Sequence, residues 1–261
     1  MNDLEFTFQA APEDLWIGQL ESGTTVSAAQ LLMRYEGADE EQLEEVFLQL
    51  EEKNIALDLS DLSLPAASGE TAQRLLREQQ LAKQGLVLSQ LENTDPLRLY
   101  LEELSQIPVC GDIAALAEEL DKANATGAAA EDLRERMVNL SLSRVVELAA
   151  EHAGQGVLLM DLIQEGNLGL WRSIEMFPGA GQAFEQYRDG RIKFYLVKAV
   201  LLYAHVSGVG QKLRTAAEDY RSVDERLLGE LGRNPSLEEM AQALHMSVEE
   251  TAAVAKTVET V

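Results

Sequence analysis

Side chains able to do chemistry are plentiful in this chain, but few are spaced for it. Its three histidines, His152, His205 and His245, lie far apart and give no metal-ligand spacing. Cys110 is the single cysteine, so no disulfide framework is available. Gly208-Val-Gly-Gln-Lys212 superficially suggests a phosphate loop, but it lacks the spacing and the following Ser or Thr. Carboxylate pairs are inevitable at a net charge of −24, so none marks itself out for acid–base work. With no Ser/His/Asp order either, the chain is not read as an enzyme, and no cofactor, metal or small-molecule substrate is expected.

What remains is recognition chemistry, concentrated between Leu158 and Phe177. At roughly 100° per residue, Leu159, Leu162, Ile163, Gly166, Leu170, Ile174 and Phe177 share one side of a helix and form an ordinary buried stripe. The opposite side carries Asp161, Gln164, Glu165, Asn167, Leu168 and Trp171. A face that meets only water has little reason to hold a Leu and a Trp among amides and carboxylates. Apolar anchors in such company suit a partner surface. The competing reading is a second core contact with another helix of the same chain.

The surrounding sequence must position this helix. The chain is 46% hydrophobic, 25% charged and only 5% aromatic over 261 residues. Gly and Pro are sparse across long Leu/Ala/Glu/Gln runs, which predicts an all-α fold. No apolar run reaches the roughly 18 residues of a membrane span. The start, Met-Asn-Asp-Leu-Glu-Phe, is acidic where a secretory signal is basic. A cytoplasmic location is the expectation.

Composition divides the chain into four parts. Residues 1–61 form an acidic helical module; residues 1–90 together hold 17 acids against 5 bases. Within the module, Thr25 and Ser27 read as the start of a helix through Arg34. Asp39 to Lys53 reads as a second, with Leu43, Val46, Phe47 and Leu50 on one face. Asn54 to Asp58 reads as a short edge strand, giving a winged-helix-like unit. Residues 62–93 read as a linker with partial helix. Residues 94–214 read as a bundle in which Asp95 caps a helix opening on Pro96. Helices follow over 112–122 and 128–151, separated by a loop at 124–127, and then comes the 158–177 helix. A turn at 178–181 leads to helix 184–204, and Ser207 to Gln211 reads as a breaker. Residues 215–261 read as a helix followed by two short helices opened by capping boxes at Ser236 and Ser247, a helix-turn-helix-like unit. Against the acidic background, residues 188–214 carry Arg188, Arg191, Lys193, Lys198, Lys212 and Arg214 with Asp189 as the sole acid.

Three segments carry a family resemblance. Asp95-Pro-Leu-Arg-Leu-Tyr-Leu-Glu-Glu-Leu-Ser-Gln-Ile-Pro108 resembles the segment that opens the body of primary-type sigma factors of bacterial RNA polymerase, the sigma-70 family. Asp161-Leu-Ile-Gln-Glu-Gly-Asn-Leu-Gly-Leu170 resembles that family's polymerase-docking helix. Leu227-Leu-Gly-Glu-Leu-Gly-Arg-Asn-Pro-Ser-Leu-Glu-Glu239 resembles its third-domain entry. The matches stand in family order and at family spacing. The acidic module resembles, more loosely, the family's autoinhibitory N-terminal module. The resemblance implies sigma-factor-like helical domains in series. It also implies binding to the clamp coiled coil of the largest subunit of core RNA polymerase. By position, Asp161, Gln164, Glu165 and Asn167 would make that contact, with Met160 and Trp171 adding apolar area.

The departures from the family lie downstream. Tyr187 keeps the family's tyrosine, but Gly190 and Arg191 occupy its tandem tryptophan pair, the flat faces on which flipped bases stack. Phe194 and Val197 stand where the family has polar base-reading side chains, and neither makes bidentate base contacts. Lys193 and Lys198 keep positive charge. The DNA-contacting set implied is Tyr187, Arg188, Arg191, Lys193, Lys198, Lys212 and Arg214, with phosphate contact retained and base readout and melting weakened. The chain also ends before the family's last helix-turn-helix domain, so the upstream promoter element is expected to go unread. Two functions fit. One is a sigma-like initiation factor with weakened promoter recognition. The other is a polymerase-binding regulator or competitor without promoter-specific DNA binding. Charge alone further suggests that the acidic module lies over the basic segment.

Overall fold

The computed structural model describes residues 13–62, 64, 69–108, 111–126, 130–179 and 183–260. Cys110, the acidic start, most of the linker at 65–68 and parts of the 124–127 and 178–181 connections lie outside that set. In chain order the elements are α1 (Glu13–Gln19), β1 (Thr25–Ser27), α2 (Ala28–Arg34), α3 (Glu40–Glu52), β2 (Ala56–Asp58), α4 (Gly69–Lys83), α5 (Pro96–Gln106), α6 (Ile113–Thr126), α7 (Glu131–Glu151), α8 (Leu159–Glu175), α9 (Phe184–Val206), α10 (Val209–Leu231), α11 (Leu237–Leu244) and α12 (Val248–Thr260). The fold is all-α, with two three-residue strands among the described residues. The described residues form two compact units: those within 64–204, and those of 13–62 together with 205–260.

In the second of these, Ser27 caps α2, its Oγ accepting from the Gln30 N–H. Asp39 and Gln42 cap α3 reciprocally, each bond 2.9 Å long. Leu43, Val46, Phe47 and Leu50 are buried, the stripe their spacing predicts. Thr25 to Ser27 departs from a plain helix start. These residues pair in parallel with Ala56 to Asp58, and Ser27 ends the strand and caps the helix together. Lys53 Nζ donates to the carbonyls of Ile17, Gly18 and Leu20, neutralising the negative end of α1.

The module rests on α10. Gly210 lies so close to the Leu32 carbonyl oxygen that any side chain there would collide with it. Arg214 Nη2 donates to the Met33 carbonyl oxygen at 2.6 Å, and Nη1 pairs with Glu36 at 3.0 Å. His205 Nε2 is 3.0 Å from the Ala38 oxygen. The chain breaks only at Ser207-Gly208, where Gly208 takes φ +69°. Gly210 and Gln211, expected within the breaker, are already helical, because the seam with α2 needs a residue without a side chain on that face. The two capping boxes are present at Ser236/Glu239 and Ser247/Glu250. Helices α11 and α12 pack together and on α10.

In residues 64–204, Asp95 Oδ1 accepts from Leu97 N at 3.0 Å and Pro96 opens α5. Helix α6 continues through Asn124 to Thr126, where a loop is expected. Thr126 Oγ1 donates back to the Lys122 oxygen at 3.0 Å and closes the extra turn. Helices α7 and α8 form a hairpin across Gly154-Gln155-Gly156. Gly156 has φ +92° and faces the Tyr203 ring without room for a side chain. No single helix among the described residues is long and apolar enough to cross a membrane.

Candidate functional site

Helix α8 is seated by a two-sided core. Leu159, Leu162, Ile163, Leu170 and Ile174 are at most 1% exposed. The buried stripe also takes in Gly169 and Ser173, which the apolar pattern passes over. Their role is close approach. A Cβ on Gly166 would stand 2.7 Å from Val145 Cγ1, and one on Gly169 would stand 2.9 Å from the Arg191 carbonyl oxygen and 3.0 Å from Ile192 Cα. Two glycines thus let α8 sit tightly against α7 and α9. Phe177, expected on the stripe, is half-buried and stacks edge-on against Phe184 beyond the helix end.

The N-terminus of α8 is held from outside. Leu158, at the N-cap position, supplies no side-chain cap. Glu78 of α4 supplies one instead, its Oε2 accepting from the buried Leu159 N–H at 2.7 Å. Burial pushes the Glu78 carboxyl above its usual range, against the opposing pull of the Leu159 N–H and of Arg74. Nothing in the spacing of the sequence pointed to this pair, 81 residues apart.

The outward face of α8 brings together the residues expected to make the partner contact. Asp161 and Gln164 are exposed, and Met160 and Glu165 are half-buried. Leu168 is 54% and Trp171 40% exposed, high values for large apolar side chains. Asn167 differs in part. Its Nδ2 donates to Tyr100 Oη of α5 at 3.3 Å, while its Oδ1 is buried with no hydrogen-bond partner among the described residues. Tyr100 therefore orients Asn167 and leaves an acceptor unused. The segment that begins at Asp95-Pro96 carried Tyr100, but nothing in the spacing linked it to α8.

The basic residues expected to meet DNA do not gather on one surface of their helix. Arg188 and Arg191 are 8% and 6% exposed. Arg188 donates to Asp189 Oδ1 at 2.8 and 2.9 Å and to Ser141 Oγ at 3.3 Å. Arg144 of α7 pairs with the other Asp189 oxygen at 2.9 Å. Those charges are bound within the bundle. Arg191 lies over the Tyr187 ring, its Nε donating to Tyr187 Oη at 3.2 Å. Tyr187 in turn donates to the Met176 oxygen at 3.0 Å and packs on Phe177. Phe194 and Val197 are buried. Lys193 is exposed, 4.0 Å from Glu151, and Lys198 is half-buried over the Tyr195 ring. On α10, Lys212 is exposed, and Arg214 is tied to Glu36. Gly190 is exposed with nothing near its missing side chain.

A family model described as Sigma-70 region 2 matches residues 137–193, which include most of α7 and all of α8. The chain is similar to the RNA polymerase sigma factor SigA of Bacillus sp, at 31% identity over 163 residues, 62% of this chain and 42% of the relative. It is similar to that of Lactococcus lactis subsp. cremoris at 27% identity over 227 residues, 84% of this chain and 60% of the relative. A SigA from Clostridium acetobutylicum is 31% identical over 163 residues, 62% of this chain and 42% of the relative. The chain thus spans about half the length of the curated relatives it matches.

Proposed function

The chain belongs to the sigma-70 family of RNA polymerase sigma factors, and from that premise we propose that it acts in transcription initiation by docking on core RNA polymerase through the outward face of α8. The observation that carries this reading is the face itself. One side of α8 is wholly committed to the core, while Asp161, Gln164, Leu168 and Trp171 stay exposed together within the family match. Trp171 and Leu168 supply apolar anchors, and the surrounding carboxylates and amides set register and orientation. The clamp coiled coil of the largest polymerase subunit is the partner that the family resemblance assigns to this face.

Once docked, the protein brings α9 and the start of α10 to promoter DNA with reduced reading power. Lys193, Lys198 and Lys212 offer phosphate contacts, worth affinity but no sequence information. Arg188 and Arg191 are consumed by intramolecular contacts, and Gly190 offers no ring for a flipped base. The burial of those two arginines also favours the second reading, a polymerase-binding regulator without promoter-specific DNA binding. Binding of the reconstituted polymerase complex to forked promoter DNA and to scrambled duplex, across a salt series, separates the two. A preference for the promoter fork supports the initiation factor with weakened recognition. Equal affinity with a steep salt dependence supports the regulator.

A further inference from the structure

We propose that the protein has a binding site for a small organic phosphate of nucleotide size in the cleft between α2 and α10. The cleft has a volume of about 330 Å³ and is lined by Gln30, Met33, Arg34, Arg214, Ala217, Glu218 and Arg221. That volume is at the lower end of the range for small-ligand sites. Positions 214, 217, 218 and 221 follow the one-face spacing of a helix, so α10 turns a single stripe into the cleft, and the last turn of α2 forms the other wall.

The lining chemistry selects the ligand class. Three arginines from two helices line one cleft in a chain with 21 basic and 45 acidic side chains. Two of them are held in place: Arg34 lies 4.7 Å from the Trp16 ring centre, and Arg214 is fixed by the Met33 oxygen and Glu36. Arg221 is exposed and has no ion-pair partner among the described residues. Glu36 offsets Arg214 and Glu218 contributes one more negative charge, so the site retains net positive charge. An anion in a cleft of net positive charge gains favourable electrostatic energy. A phosphate group presents several acceptor oxygens to planar guanidinium forks, more than a carboxylate can. The buried side chains of Met33 and Ala217 give an apolar floor for the rest of the ligand. A ligand held by both walls ties the N-terminal module to α10, so its binding stabilises that unit by mass action.

Calorimetric titration of the full chain with ATP, adenosine and a short single-stranded DNA tests the site. The expected result is saturable ATP binding, at least about tenfold tighter than adenosine binding, since charged hydrogen bonds to phosphate carry the difference. Arg221→Ala should weaken ATP binding by about tenfold or more while leaving unliganded thermal unfolding unchanged, because Arg221 is exposed. Arg226→Ala, which removes an exposed arginine paired to Glu230 away from the cleft, should leave it unchanged. Absence of saturable ATP binding, equal binding of adenosine, or insensitivity to Arg221→Ala overturns the proposal. So does DNA binding through Arg221 with no binding of ATP.

Discussion

Helix α8 borrows its N-terminal cap from α4, so removing Glu78 should loosen α8 from a distance. In Glu78→Ala the buried Leu159 N–H loses its acceptor. An orphaned buried donor costs about 1–3 kcal/mol, and loss of an N-cap costs about 0.5–2 kcal/mol. These are two views of one bond and are not added. The variant also no longer buries a carboxylate, which offsets part of the loss, so a net destabilisation of about 1–2 kcal/mol follows. Glu78→Gln keeps an acceptor oxygen and removes the charge. It should stay within about 1 kcal/mol of the parent, since the lost pair with the half-exposed Arg74 is worth little. The pH dependence has a definite sign. A carboxyl raised by burial binds its proton more tightly folded than unfolded. Its charged form therefore costs stability at neutral pH, and the cost is relieved as pH falls through the raised value. The parent should gain stability relative to Glu78→Gln between neutral pH and about pH 4.5. Urea unfolding reads the global effect, and native-state amide exchange over Leu159 to Leu162 reads the local one. If Glu78→Ala exchanges at the parental rate in that turn, the cap is not what holds α8. If Glu78→Gln is as damaged as Glu78→Ala, the charge and not the acceptor matters.

Gly169→Ala should destabilise by about 1–3 kcal/mol in urea unfolding, because its Cβ meets backbone atoms of Arg191 and Ile192 that cannot rotate away. Gly190→Trp has open space and should raise affinity for forked DNA severalfold in fluorescence anisotropy, since one stacked base is worth about 1–3 kcal/mol. An unchanged affinity would show that a ring at this position does not set the strength of fork binding. Deleting residues 1–60 frees Arg214 from Met33 and Glu36, so DNA affinity at low salt should rise and the salt slope should steepen by about one phosphate contact. Unaltered affinity and slope would rule out masking by the module.

Local signals made much of this fold legible. Asp95, Ser236 and Ser247 announce helix starts by cap chemistry alone, and the apolar stripes of α3 and α8 announce their buried faces. The division of α8 into a buried and an outward face was legible from its period, and Leu168 and Trp171 stand out on the outward face as large apolar residues on a wet surface. Other features were hidden because they depend on partners distant in sequence. The pairing of Thr25–Ser27 with Ala56–Asp58, the helical Gly210 against Leu32, and the Glu78 cap are of this kind. The basic segment shows a different limit. Counting charge says nothing of direction. Yet Phe184, Arg188, Arg191, Ile192 and Tyr195 share one helical side, and reading α9 by period would have placed both arginines with its core. Apolar residues run nearly all round α9, which obscures that signal.

Docking through the outward face of α8 is read out by affinity for core RNA polymerase. The double charge reversal Asp161→Lys with Glu165→Lys sits on that face and leaves the core stripe intact. Like charges set against a matched surface cost several kcal/mol, so binding should weaken by about a hundredfold or more, with helical content unchanged by circular dichroism. A folded double variant that binds core polymerase as tightly as the parent would rule out docking through this face.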